Sequence, residues 1–99
     1  MKGYLIANID VRDPKAFAEY REKVAPMIAR FGGRYLVRGG TLRNVEGKLD
    51  LKRLIILELP SLAEAERFYD SEEYRPLIEL RTSCTVSDVA LVEGYQPAA

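Results

Sequence analysis

The succession of hydrophobic periods along this chain constrains its fold more than any other feature. A period of two marks a strand over Tyr4–Val11, where Leu5, Ala7, Ile9 and Val11 alternate with Tyr4, Ile6, Asn8 and Asp10. A helical period follows: Phe17, Tyr20, Val24, Met27, Ile28 and Phe31 recur at steps of three and four and form one apolar stripe. Asp13-Pro14 opens that helix, with Asp13 as N-cap and Pro14 where a missing N–H costs nothing; Gly32-Gly33 closes it. Pro26 lies inside and predicts a kink or restart, because its ring crowds the carbonyl of Glu22. Alternation returns over Arg34–Arg38, a polar connection over Thr41–Asp50 turns near Glu46-Gly47-Lys48, and Leu51–Leu59 is the third strand. Pro60 stops it, and Ser61 with Glu64 forms a capping box for a second helix that buries Leu62, Ala65, Phe68 and Tyr69. Asp70-Ser71 interrupts that helix, a further helical stretch carries Leu77, Ile78 and Arg81, and Val86–Tyr95 is the last strand.

Two strand-helix-strand units in this order predict a split βαβ arrangement with an antiparallel sheet in the order 4-1-3-2 and both helices on one face. Leu5, Ala7, Ile9, Tyr35, Val37, Ile55, Leu57, Val89 and Leu91 are expected to meet the helices. The other face is expected to carry Ile6, Leu36, Leu54, Ile56, Ala90 and Val92, an apolar surface larger than soluble monomers usually tolerate. Helices that cover one face leave the second to a second copy of the chain, so a homodimer is expected.

At 99 residues the chain is read as a single domain over residues 1–95 with a loose tail at 96–99. Such a length buries roughly 60–70% of the unfolded surface, enough for a core without staples. Lysine plus arginine and aspartate plus glutamate number 15 each, so no global field recruits nucleic acid or an anionic membrane. No apolar run approaches the ~20 residues that span a bilayer, and Met1-Lys2-Gly3 leads into a strand, so cytoplasmic residence is the expectation. One cysteine, Cys84, forms no internal disulfide and is read as a buried apolar residue. Histidine is absent, which removes the commonest metal ligand and the commonest general base; neither a metal nor a cofactor is expected.

The segments Asp13-Pro14, Gly32-Gly33-Arg34-Tyr35-Leu36-Val37-Arg38-Gly39-Gly40, Val45-Glu46-Gly47, Glu58-Leu59-Pro60-Ser61, Ser71-Glu72-Glu73-Tyr74, Arg81 and Val92-Glu93-Gly94 resemble, in order and over nearly the whole chain, the DUF1330 family. Phe68 stands where that family often has tryptophan, and Leu49-Asp50-Leu51 replaces a more usual tryptophan- or proline-containing exit from the hairpin. The resemblance implies an α+β, ferredoxin-like βαββαβ subunit of the dimeric α+β barrel superfamily, whose sheet packs on that of a second subunit. It implies no reaction. Proteins of this architecture include cofactor-free quinol oxygenases, lactone isomerases, haem enzymes and ligand-sensing domains, and the haem branch fits poorly without histidine.

Alternation places Arg38 on the apolar face with Leu36, Leu54 and Ile56, where its planar fork can bind a carboxylate or enolate; the alternative is an edge-strand arginine paired to an acid or reaching solvent. Asn8 is expected at a similar level, either orienting a ligand or satisfying Arg38. Glu58, the only obvious base on that face, would need a raised pKa, and the competing reading pairs it with Arg34 or with the partner subunit. Tyr20 and Tyr69 read as core residues at helical spacing. Tyr74 and Arg81, which carry the family pattern, either line the mouth of a cleft or brace the broken helix. The charged segment Lys15–Lys23 reads as a solvated helix face. Together these residues point to a cytoplasmic homodimer with a pocket for a small, anionic molecule bound by Arg38, Asn8, Tyr74 and Arg81. The alternative is a cofactor-free oxygenase or isomerase acting on an activated carbonyl or quinol, with Arg38 stabilising an enolate-like charge.

Overall fold

The computed structural model describes residues 1–97, and Ala98 and Ala99 of the expected tail lie outside the described residues. Its elements are β1 (Gly3–Val11), α1 (Pro14–Arg30), β2 (Arg34–Arg38), β3 (Leu54–Leu59), α2 (Leu62–Tyr69), α3 (Arg75–Cys84) and β4 (Thr85–Glu93). The four strands form one antiparallel sheet in the order β2-β3-β1-β4, which is the expected 4-1-3-2 order read from the other edge. Every inner strand pairing is antiparallel, so the two strand-helix-strand units interleave rather than lie side by side.

Local chemistry sets the element ends. The Asp13 carboxylate accepts from the backbone N–H groups of Lys15 and Ala16, both at 3.2 Å, and starts α1. Pro26 breaks nothing: α1 runs unbroken from Pro14 to Arg30, against the expected restart. Pro26 and Glu22 are both exposed, so water can satisfy the carbonyl that the proline ring leaves without its helical donor. Of the expected capping box only half forms. Ser61 Oγ accepts from the Glu64 N–H at 3.1 Å, while the Glu64 carboxylate accepts from Arg67 at 2.9 and 3.1 Å instead of reaching back. Gly3 lets the start of α2 come close: a Cβ there would run into the Ser61 carbonyl and the Leu62 nitrogen.

The third strand begins at Leu54, later than the expected Leu51, because Leu51 and Lys52 are held by the Asn44 and Asn8 side chains, and the backbone pairing with β1 resumes only at Arg53, whose carbonyl accepts from the Ile9 N–H at 2.9 Å. Asn44 both donates to the Leu51 carbonyl and accepts from its N–H, at 3.0 and 2.9 Å. Between sheet and helices lies the core, with Leu5, Ala7, Ile9, Ile55, Leu57 and Leu59 from the strands against Phe17, Val24, Met27, Ile28, Ala65 and Phe68. Phe68 is fully buried and meets Phe31 edge-on at 5.5 Å and Tyr74 at 4.6 Å between ring centroids. The opposite sheet face carries no helix; Ile6, Leu36 and Val92 are 36%, 45% and 45% exposed there. No described helix is long and apolar enough to cross a membrane.

Candidate functional site

A cavity of about 40 Å³ lies between the sheet and the helices, with Leu5, Ala7, Leu57, Phe17 and Val24 among its apolar walls. Its polar lining consists of three tyrosines, Tyr20, Tyr35 and Tyr74, and three arginines, Arg21, Arg38 and Arg81. No carboxylate of the described residues lines it. The volume suits a few waters or the acidic head of a small molecule.

Arg38 reaches this cavity because β2 does not alternate as its sequence suggests. Tyr35 stands opposite Leu57, but the next pairs are Val37 with Ile56 and Arg38 with Ile55, so Leu36 and Val37 share one partner in a β-bulge. Past the bulge every side chain changes face. Arg38, expected on the apolar outer face, turns toward the helices, and Val37, expected in the core, turns to the outer face with Ile56. The Arg38 guanidinium lies 4.3 Å from the centroid of the Tyr35 ring.

At the deep end, Tyr20 of α1 and Tyr74, just ahead of α3, join their hydroxyls in a 2.7 Å hydrogen bond. The α2–α3 turn positions Tyr74: Ser71 Oγ donates to the Phe68 carbonyl at 2.9 Å and accepts from the Tyr74 N–H at 3.2 Å. Burial, reinforced by Tyr74, pushes the Tyr20 pKa far up, so the hydroxyl stays protonated at neutral pH. Arg81, only 3% exposed, donates to Ser87 Oγ at 2.6 Å, and its Nε has no partner among the described residues. Burial alone would lower the Arg81 pKa, but the neighbouring Tyr74 and Tyr20 oxygens outweigh it and the guanidinium stays charged.

Arg21 of this lining and Arg53, which lies outside it, form a second group. Arg21 and Arg53 place their guanidinium carbons 5.8 and 5.6 Å from the centroid of the same Phe17 ring, and the Nε of each is buried without a partner among the described residues. Burial first, then repulsion from Arg21 and Arg38, holds the Arg53 pKa below that of an ordinary guanidinium. Arg53 sits against Gly39, whose positive φ of 67° no other residue adopts easily; a Cβ there would occupy the space of the Arg53 guanidinium. None of Arg21, Arg38, Arg53 and Arg81 is among the ion pairs of the described residues. The neutral composition conceals this local concentration of positive charge.

The remaining candidates lie elsewhere. Asn8 is on the outer face, where Oδ1 accepts from the Lys52 N–H at 2.8 Å and Nδ2 donates to the Asp50 carbonyl at 3.4 Å, so it clamps the β2–β3 connection and does not meet Arg38. Glu58 accepts from Arg34 Nε at 3.0 Å and from the Tyr4 hydroxyl at 3.1 Å. Partial desolvation raises its pKa, but these two donors outweigh it and hold the carboxyl below its usual range. Cys84 is buried, its thiol pushed up by burial and by Asp13. Among the described residues no group of three or more Cys, Asp or Glu side chains is arranged to hold a metal ion.

Sequence reasoning did not single out Arg21 or Arg53, and it assigned Tyr20 to the core alone. A signal existed for Arg21, which stands four residues after Phe17 and shares its helix face. Arg53 carried none, since only the path of the connection brings it over Phe17.

Solved structures with the same fold include a protein of unknown function from Rhodopseudomonas palustris, 20% identical, with a TM-score of 0.75 over 97% of this chain and 84% of that one. The cofactor-independent oxygenase SnoaB from Streptomyces nogalater is 14% identical, with a TM-score of 0.61 over 97% of this chain and 95% of that one. A dimeric ferredoxin-like protein of unknown function from Jannaschia sp. CCS1 is 12% identical, with a TM-score of 0.63 over 95% of this chain and 100% of that one. At these identities the likeness is one of fold. No curated protein matches the chain. The sequence profile of a domain of unknown function, DUF1330, matches residues 2–95, and the chain belongs to that family.

Proposed function

We propose that this protein is a cytoplasmic homodimer that binds a small anionic molecule, with the acidic group of the ligand in the cavity between sheet and helices. The observation that carries this reading is Arg81: a charged guanidinium, 3% exposed, lining an apolar cavity with a partnerless Nε and no carboxylate within ion-pair distance among the described residues. A buried charge without a carboxylate counter-charge is costly, and burial keeps the neighbouring Tyr20 hydroxyl protonated. An entering carboxylate, enolate or phenolate supplies the missing charge. Arg38, exposed at one end of the cavity, is suited to meet the ligand where it enters. A homodimer accounts for the uncovered apolar face, and the dimeric neighbour is consistent with it.

The test is thermal and calorimetric titration with short carboxylates on the wild type and on Arg38→Met. Ligand at a hundredfold excess over Kd should stabilise the wild type by about 2.7 kcal/mol. Arg38 forms no ion pair among the described residues and stacks on Tyr35, so Arg38→Met should change folding stability by no more than about 1 kcal/mol while the carboxylate response weakens. An unchanged response in the variant would remove Arg38 from the site.

The likeness to SnoaB favours a second reading, cofactor-free oxygenation or isomerisation of a quinol or activated carbonyl. In that reading the hydrogen-bonded Tyr20–Tyr74 pair and Arg81 would stabilise the developing oxyanion. Glu58 is a poor base for it, being outside the cavity with a lowered pKa. Oxygen uptake or product formation with such substrates separates turnover from binding.

A further inference from the structure

We infer that the ligand is a dianion whose two acidic groups are separated by a short apolar spacer; this rests on the anion-binding reading above and specifies its substrate class. The arginines fall into two sets. Arg81 belongs to the deep set, with Tyr20, Tyr74 and Ser87 of β4 around it. Arg21, Arg38 and Arg53 make the outer set, gathered over the Phe17 and Tyr35 rings, and Arg38 stands on β2. In the sheet order β2-β3-β1-β4 those two strands are opposite edges, three strand spacings or about 14 Å apart. The sets therefore approach the cavity from opposite sides. Arg53 responds to Arg21 and Arg38, Arg81 responds to Tyr74, Tyr20 and Tyr69, and Tyr35, which responds to Arg38, Tyr74, Arg21 and Arg53, links the two sets.

One compact anion in the deep end would neutralise Arg81 and leave three outer guanidinium groups repelling one another. One anion at the outer end would leave Arg81 buried and charged. A molecule with an acid at each end satisfies both sets at once. Its middle should be largely apolar, because Leu5 and Ala7 of β1 and Leu57 of β3, the two strands between those edges, offer no side-chain hydrogen bond. Only one acid needs to occupy the 40 Å³ cavity, since the lining reaches the surface at the exposed Arg38.

The experiment is calorimetric titration at constant ionic strength with succinate, glutarate and adipate, with the monoamide of each, and with inorganic phosphate. At least one diacid should bind roughly tenfold or more tightly than its monoamide, since the second acid adds a charge-assisted contact. Arg81→Gln removes the deep partner, and if that variant fails to fold, Arg53→Gln tests the outer set, where the diacid-to-monoamide ratio should fall toward one. Equal binding of diacids and monoamides, or phosphate binding as tightly as the best diacid, would overturn the two-ended ligand and leave the anion site standing. No binding of any anion would overturn the site and the inference together.

Discussion

A glutamate on a sheet face becomes a general base when its surroundings favour the protonated form, and Glu58 has the opposite surroundings. Its partial desolvation is outweighed by the Arg34 and Tyr4 donors, and the pKa is lowered. A depressed folded-state pKa stabilises the fold above the unfolded pKa and loses that contribution as pH falls through the folded value. Wild type should therefore be more stable than Glu58→Gln at neutral pH, with a difference that is constant down to about pH 5 and shrinks at pH values below about 4.3. Urea denaturation of both proteins across that range checks it, and a difference that grows on acidification would contradict the assignment. The pairing of Glu58 with Arg34 was one of two readings open in the sequence. What decided it was the register, which puts Arg34 directly opposite Glu58 across β2 and β3. Tyr4 joins from the other side, opposite Glu58 on β1.

Among the elements, α1 shows how far a local rule carries. Its stripe of Phe17, Tyr20, Val24, Met27 and Ile28 is buried as the period of 3.6 requires, and its N-cap forms as the Asp13-Pro14 pair implies. Pro26 was expected to kink or restart it, and no restart occurs, because packing of that stripe outweighs one missing backbone hydrogen bond on the exposed side. That proline still carries a cost. Pro26→Ala should raise stability by about 1–3 kcal/mol, seen as a higher denaturation midpoint with an unchanged slope. A midpoint that stays put would mean that the backbone is already relaxed around the ring. β2 teaches the converse. Tyr35-Leu36-Val37-Arg38 alternates acceptably with or without an extra residue, so nothing local announces the bulge that exchanges the faces of Val37 and Arg38.

For the whole molecule, the decisive quantity is the apolar face that the helices leave uncovered. Ile6, Leu36, Ile56 and Val92 lie there, joined by Val37 once the bulge has turned it. A homodimer through this face should bury upward of roughly 1,200 Å² in total. Light scattering at micromolar concentration should give twice the 11.2 kDa monomer mass, and Ile6→Asp should give the monomer mass with helical circular dichroism retained. Wild type already at 11.2 kDa would refute the dimer.

By itself the sequence determined what depends on neighbours along the chain: three helical stretches and four strands from their periods, caps from Asp13 and Ser61, and a sheet order that follows from the succession of units. It also determined that one face of that sheet would be apolar and uncovered, since alternation fixes a side chain's face wherever the ladder is regular. The tertiary structure alone decided the site. Arg21, Arg38, Arg53 and Arg81 are far apart in sequence, and their charges cancel against distant acids in any count of composition. They line or border one cavity because a one-residue bulge turns Arg38, a connection pinned by Asn8 and Asn44 carries Arg53 to Phe17, and α3 delivers Arg81 to Ser87. Each of those placements is a long-range contact, in which no residue's own type or spacing states its partner.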